Sequence, residues 1–115
     1  MSEYLTVLST APSEEVAGEL ARTAVERRLA ACVQVLGPMQ STYWWEGKVQ
    51  SDPEWLCLFK TTSANYDALE AAIRQTHPYD EPEIIALPIT AGSRGYLNWL
   101  ASETRNSREP QRRDT

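Results

Sequence analysis

The sequence predicts an α+β fold in which two helices cover one face of an antiparallel sheet. Three observations lead to this prediction. Apolar segments with strand-like patterns are bounded by turn residues, two other segments repeat apolar residues at helical spacing, and the order is strand, helix, strand, strand, helix, strand. The chain of 115 residues is long enough to form one domain with its own core.

The first strand is predicted over Tyr4–Ser9, and the helix that follows begins after Ser13, which can cap it. Apolar residues recur along this helix on one side. They are Val16, Leu20 and Ala24, with Ala17 and Ala21 beside them. Arg27 and Arg28 place positive charge at the C-terminal end, where it is favourable. The helix is therefore expected to face a core on one side only.

The next two strands are predicted to form a long hairpin. The second strand begins at Ala31, is interrupted near Gly37-Pro38 and resumes over Ser41–Trp45. A proline removes a ladder hydrogen bond, so the interruption predicts a bulge or a kink. Glu46-Gly47-Lys48 supplies the turn, and the third strand is predicted over Glu54–Thr61.

A second helix, capped by Ser63, is predicted to end near Thr76 because a proline follows at position 78. A buried fourth strand is then expected over Ile84–Ile89. Gly92-Ser93 turns the chain into a short C-terminal helix. Its residues at helical spacing are Tyr96, Trp99, Leu100 and Glu103.

This element order is the split β-α-β unit of ferredoxin-like folds, with both long helices on one face of the sheet. The other face has no long helix to cover it. The hairpin nevertheless carries large aromatic residues on both faces, namely Trp44, Trp45, Trp55 and Phe59. This is more aromatic area than a two-layer monomer can bury, so another subunit is expected to cover it.

Composition argues against a nucleic-acid partner. The net charge is −5, and an acidic chain does not provide the clustered basic face of a nucleic-acid-binding protein. The basic residues are concentrated in the polar segment 104–115, which contains four arginines and only two acidic residues. We therefore predict one domain over residues 1–103 and a disordered tail over 104–115.

The sequence also predicts a cytoplasmic protein. No window approaches the roughly 20 apolar residues of a membrane-spanning helix, and the N-terminal residues lack a signal-peptide pattern. Cys32 and Cys57 lie far apart, each within an apolar run, as reduced core cysteines do.

The segment His77–Ile84 is the best candidate for a functional loop. It contains the only histidine, a tyrosine and three carboxylates, and two prolines keep it extended. Imidazole is the commonest metal ligand, and carboxylates beside it would favour its charged form. His77, Asp80 and Glu83 are the candidate metal ligands, and a rigid acidic turn is the alternative interpretation.

Four segments together resemble the CutA divalent-cation tolerance family. They are Leu29–Val33, Tyr43–Lys48 leading to Lys60-Thr61, His77–Ile84 and Tyr96–Leu100. The resemblance runs in order from Tyr4 to about Ser102. It implies a ferredoxin-like homotrimer, analogous in fold to PII-type signalling proteins, with sheet edges joined between subunits.

The resemblance also implies contact with copper or another divalent cation near subunit boundaries, through the loop that contains His77. Two positions depart from the pattern. Some members have a cysteine where this chain has Ser9, and a second histidine where it has Thr76. One imidazole with carboxylates predicts weak Cu²⁺ binding with poor selectivity.

Two other functions remain open. The first is a PII-like sensor that binds an anionic metabolite in a cleft between subunits, using Lys60, Tyr79 and Trp99 with His77. Lys60 could equally extend its ammonium group to the surface beside an apolar strand. The second is a small hydrolase that uses the Arg94 loop or the His77 cluster. It ranks last because the sequence shows no activated serine or cysteine, and a non-enzymatic protein is predicted.

Overall fold

The computed structural model describes residues 3–105. Its elements run as β1 (Tyr4–Ala11), α1 (Glu14–Glu26), β2 (Cys32–Trp45), β3 (Lys48–Thr62), a 3₁₀ turn (Ser63–Asn65), α2 (Tyr66–Thr76), β4 (Ile85–Pro88) and α3 (Arg94–Glu103). The strands form one antiparallel sheet in the order β2-β3-β1-β4. This is the predicted α+β arrangement.

The core lies between the sheet and the two longer helices. Val7 on β1 and Phe59 on β3 are cross-strand partners, so their side chains lie on the same face of the sheet. This face of the sheet packs against the apolar stripes of α1 and α2, where Leu20, Leu69 and Ile73 are buried. As predicted, Ser13 caps α1, and its hydroxyl accepts a hydrogen bond from the backbone N–H of Val16.

The hairpin is longer than the sequence predicts. The structure confirms the irregularity at Gly37-Pro38 as a register shift between Leu36 and Met39. The predicted start of the third strand at Glu54 is wrong, because β3 begins at Lys48 and continues through Pro53. Pro53 is tolerated because β1 ends opposite Trp55, which leaves this part of β3 with one neighbouring strand. A two-stranded hairpin therefore projects beyond the sheet.

Two further predictions need correction. Ser63 does not cap α2, because it begins a 3₁₀ turn that precedes the helix, and its hydroxyl donates to the carbonyl of Glu3. The fourth strand is shorter than predicted, and its residues are exposed rather than buried. It lies at an edge of the sheet, and one of its faces has no cover from the described residues.

The C-terminal helix is anchored to the end of α1. The guanidinium of Arg28 lies 2.6 Å from the Glu103 carboxylate, and the backbone N–H of Arg105 donates to the Arg28 carbonyl. Thr104, directly after α3, is buried as well. The remainder of the predicted tail, 106–115, lies outside the described residues.

A substitution at the hairpin turn is expected to stabilise the protein. Glu46 and Gly47 both have positive φ, as a two-residue type I′ turn requires. Asparagine tolerates this conformation better than glutamate does, so Glu46→Asn should raise the free energy of unfolding by about 0.5 kcal/mol. Urea denaturation at fixed protein concentration measures the change. Glu46→Val is the control and should destabilise, because a β-branched residue is strained at positive φ.

Candidate functional site

The loop His77–Glu83, called the HPY loop below, begins where α2 ends. His77 is the C-terminal cap of α2, has extended backbone angles and is only 7% exposed. Its Nε2 lies 2.7 Å from the carbonyl oxygen of Thr10, near the end of β1. The backbone N–H of Tyr79 donates to Nδ1 at 3.2 Å. The imidazole therefore points into the protein.

These two contacts define the state of the imidazole. A backbone N–H can only donate, so Nδ1 accepts without a proton, and a carbonyl can only accept, so Nε2 carries the hydrogen. This is the neutral Nε2–H tautomer. Its single available lone pair, on Nδ1, is already engaged, so His77 would have to break a hydrogen bond in order to bind a metal.

The predicted metal ligands do not form a cluster within one chain. Asp80 and Glu83 are exposed, whereas His77 is buried. Glu81, which lies between Asp80 and Glu83 in the sequence, forms an ion pair with Arg74 at 3.2 Å. Among residues 3–105, no group of three or more His, Cys, Asp or Glu side chains is arranged to hold a metal ion. The described donors of a single chain therefore do not fit a three-ligand copper site.

Tyr79 belongs to a polar cluster at the base of the projecting hairpin. Its ring contacts the His77 ring at a centroid distance of 4.7 Å, and its hydroxyl reaches the Glu54 carboxylate at 3.5 Å. Nearby, the Tyr43 hydroxyl donates to Asp52 at 2.5 Å, and this hydrogen bond is the main cause that raises the pKa of Tyr43 to about 12. Burial and then Glu54 raise the pKa of Tyr79. Both phenols are thus kept as neutral donors to carboxylates.

Lys60 lies in a different cluster, on the face of the sheet opposite α1 and α2. Its ammonium donates to the side-chain oxygen of Gln34 at 2.6 Å, and its cross-strand partner on β2 is Cys32. Burial is the main cause that raises the pKa of Tyr96, and a contact with Cys32 adds to it. Trp99 packs against Tyr96 with ring centroids 5.5 Å apart. Helix α3 therefore contributes Trp99 on the side of Lys60.

The structure separates Tyr79 from Lys60. Tyr79 contacts Glu54, which is six residues from Lys60 on β3, a distance of about 20 Å along an extended strand. The predicted trio of Lys60, Tyr79 and Trp99 therefore does not line one pocket within a single chain. The residues that sequence reasoning missed, Gln34 and Glu54, could have been found only from the register of the hairpin.

The sheet face that carries Lys60 also has a broad apolar region, called the open face below. Cross-strand pairing places its residues side by side across all four strands. They are Leu8, Leu36, Leu56, Leu58, Ile85 and Leu87. Three of them are at least 47% exposed, and the hairpin residue Trp44 is 74% exposed. Exposed apolar area of this extent is typical of an interface.

Ser9, the position at which some members of the family have a cysteine, is a buried polar residue whose effect on stability can be tested. Its hydroxyl is completely buried and has no hydrogen-bond partner among residues 3–105. Ser9→Ala is expected to raise the free energy of unfolding by about 1 kcal/mol, because it removes an unsatisfied polar group.

Thr61→Val is the matched control for Ser9→Ala. The Thr61 hydroxyl is equally buried but donates to the Leu29 carbonyl at 2.7 Å. Valine leaves that carbonyl unsatisfied, so this change should lower the free energy of unfolding by about 1–2 kcal/mol. Urea denaturation compares the two variants, and a destabilising Ser9→Ala would contradict the prediction.

Comparison with known proteins gives consistent matches. A family model for the CutA1 divalent ion tolerance protein matches residues 5–103. The "Divalent-cation tolerance protein CutA" of Thermus thermophilus is 49% identical over 98 residues, which cover 85% of this chain and 95% of that protein. "Protein CutA 1, chloroplastic" of Oryza sativa is 45% identical over 90% of this chain, which spans only 58% of the rice protein.

Solved structures agree with these matches. The structure of the Thermus thermophilus protein has a TM-score of 0.87 at 47% identity and covers 89% of this chain and 99% of its own. The structure named "Periplasmic divalent cation tolerance protein CutA" from Archaeoglobus fulgidus has a TM-score of 0.84 at 34% identity, over 87% and 97% of the two chains. The names of the relatives therefore point to different compartments. No helix within residues 3–105 is long and apolar enough to cross a membrane.

Proposed function

The chain belongs to the CutA1 divalent ion tolerance family, and we propose that it acts as a homotrimer that contacts divalent cations through the carboxylates of the HPY loop. The family is one of tolerance proteins rather than enzymes. We further propose that this chain acts in the cytoplasm, as its separated cysteines suggest.

The open face supports the homotrimer. It presents apolar side chains from all four strands, and β2 and β4 are the edges of the sheet. Exposed edges invite pairing with another chain, and closed rotational symmetry satisfies such pairing without producing fibres. A second and a third copy would bury the apolar side chains that one chain leaves exposed.

The exposed carboxylates of Asp80 and Glu83 are the observation that carries the cation proposal. Carboxylate oxygens suit hard cations such as Mn²⁺ and Mg²⁺, whereas copper favours thiolate and imidazole donors. The positions of Ser9 and Thr76 supply no such donors, and the imidazole of His77 is engaged. We therefore expect the HPY loop to bind both Mn²⁺ and Cu²⁺ weakly, with Cu²⁺ bound more tightly because affinity for a given set of donors generally rises from Mn²⁺ to Cu²⁺.

Native mass spectrometry of tag-free protein tests both parts of the proposal. A trimer that binds Mn²⁺ in the wild type but not in the Asp80→Asn/Glu83→Gln variant would support it. Glu14→Gln/Glu15→Gln is the matched control, because it removes two exposed carboxylates from the first turn of α1. A monomeric wild type would overturn the assembly, and equal Mn²⁺ binding in all three proteins would overturn the cation site.

Lys60 favours a second function, the binding of an anionic metabolite between subunits. Among residues 3–105, no carboxylate pairs with its ammonium group, which contacts only the neutral side chain of Gln34. Thermal denaturation with citrate or inorganic phosphate, in the presence of a chelator, tests this function. A rise in Tm that Lys60→Met abolishes would support it, and no rise with either anion would count against it.

A further inference from the structure

We propose that His77 is a positioning residue that fastens the HPY loop to the sheet and is not itself a metal ligand. The proposal rests on the proposed function in one respect, since the loop that His77 holds carries Asp80 and Glu83. The assignment of the imidazole itself depends only on the contacts of its two nitrogens.

His77 attaches the loop to the carbonyl of Thr10, near the end of β1. Backbone polar groups alternate along a strand, and the Tyr4 carbonyl accepts from the N–H of Ile89 on the β4 side of β1. The Thr10 carbonyl, six residues further on, therefore faces the same side. The pairing between β1 and β4 ends at Leu8 and Ile85, so β4 does not reach Thr10. The Nε2–H of His77 takes the place of the missing strand and satisfies this carbonyl.

His77 also fixes the direction of the loop. Nδ1 accepts the backbone N–H of Tyr79, which fixes the chain two residues after His77. The two rings are in contact, and the Tyr79 hydroxyl reaches Glu54 on β3. One buried imidazole thereby connects the end of α2 to the end of β1 and, through Tyr79, to the base of the hairpin. The carboxylates that follow in the loop project from a fixed support.

The same imidazole cannot hold the loop and bind a metal at the same time. A neutral imidazole has one lone pair for a metal, and here the Tyr79 amide occupies it. Coordination through Nδ1 would leave that amide without its partner, and coordination through Nε2 would require loss of the proton donated to Thr10. In either case His77 would bind the metal only by breaking one of the two hydrogen bonds with which it holds the loop.

Nitrogen NMR of the imidazole is the direct test. The sequence contains a single histidine, so tag-free protein labelled with ¹⁵N gives one imidazole to observe. We expect the Nε2–H tautomer, unchanged by an excess of ZnCl₂. The Nδ1–H tautomer, or the large shift of one ring nitrogen that direct coordination of Zn²⁺ produces, would overturn the proposal. This measurement uses the wild type and so does not depend on the folding of a variant.

His77→Gln and His77→Asn each replace one of the two hydrogen bonds made by the imidazole, so their effects can be measured separately. Glutamine places an amide donor near the position of Nε2, and asparagine places a carbonyl acceptor near the position of Nδ1. His77→Ala should lower Tm in EDTA by about 10 °C and weaken Mn²⁺ binding about tenfold, as loss of an outer-shell support does. His77→Gln and His77→Asn should each recover part of both losses. Unchanged Tm in His77→Ala with complete loss of Cu²⁺ binding would instead identify a ligand.

The carboxylate variants distinguish failure of this inference from failure of the proposed function. If Asp80→Asn/Glu83→Gln binds Mn²⁺ as the wild type does, the cation site is wrong, while the imidazole spectrum still decides the role of His77. If that double variant loses Mn²⁺ binding and the imidazole spectrum changes with Zn²⁺, the site stands and His77 is one of its ligands.

Discussion

Replacing Leu87 with aspartate is expected to break the proposed homotrimer into monomers. Leu87 is 49% exposed in the single chain and faces the same side as Thr6, its cross-strand partner, within the open face. A carboxylate held in an apolar interface without a partner costs several kcal/mol. About 3 kcal/mol per copy corresponds to a factor of about 10² in affinity, and the penalty applies to every subunit. Native mass spectrometry at micromolar concentration measures the assembly.

Val25→Asp is the matched control for Leu87→Asp. Val25 is 40% exposed, close to the value for Leu87, but it lies on α1 and outside the open face. Val25→Asp introduces the same carboxylate outside the proposed interface, so its assembly should have the same number of subunits as the wild type. If Leu87→Asp also keeps that number of subunits, the open face is not the interface.

The sequence predicts the arrangement of the elements because local patterns determine most of it. The apolar stripe of α1, the cap at Ser13 and the turn at Glu46-Gly47 all operate over a few residues. The wrong start of β3 has a non-local cause. Pro53 looks like a strand breaker until it is known that β1 ends before reaching it.

The prediction of a buried fourth strand is wrong for the single chain in a way that supports the proposed assembly. An apolar pattern reports burial in the functional protein, whereas the exposure of Ile85 and Leu87 is measured on one subunit. The same difference applies to the aromatic hairpin, where Trp44 remains exposed. A sequence cannot distinguish burial within a chain from burial between chains.

The sequence specifies the contacts of the candidate site less completely than the fold, because those contacts involve residues far apart in the chain. The sequence identifies His77 as an unusual residue, but its contact with the Thr10 carbonyl spans 67 positions. No spacing rule within the HPY loop could reveal that the imidazole points inward. Similarly, the separation of Lys60 from Tyr79 follows from strand register, which a single sequence does not specify.

Gly37→Ala is expected to lower the free energy of unfolding by about 2–3 kcal/mol. A Cβ at this position would lie 2.5 Å from Cδ1 of Trp55 and 2.7 Å from its Cγ. The indole packs directly on the glycine backbone at the bulge where the hairpin leaves the sheet. The added methyl must therefore displace either the ring or the strand. Urea denaturation followed by circular dichroism, at fixed protein concentration, measures the loss.

Two further variants separate this steric effect from the general effect of replacing a glycine. Gly18→Ala, in the middle of α1, should stabilise by about 0.5–1 kcal/mol, because a Cβ there meets no described atom within 4 Å and alanine favours a helix. A clash with the indole also predicts coupling, so on a Trp55→Leu background Gly37→Ala should cost at least 1 kcal/mol less. An equal cost on both backgrounds would place the strain in the backbone of the bulge rather than against Trp55.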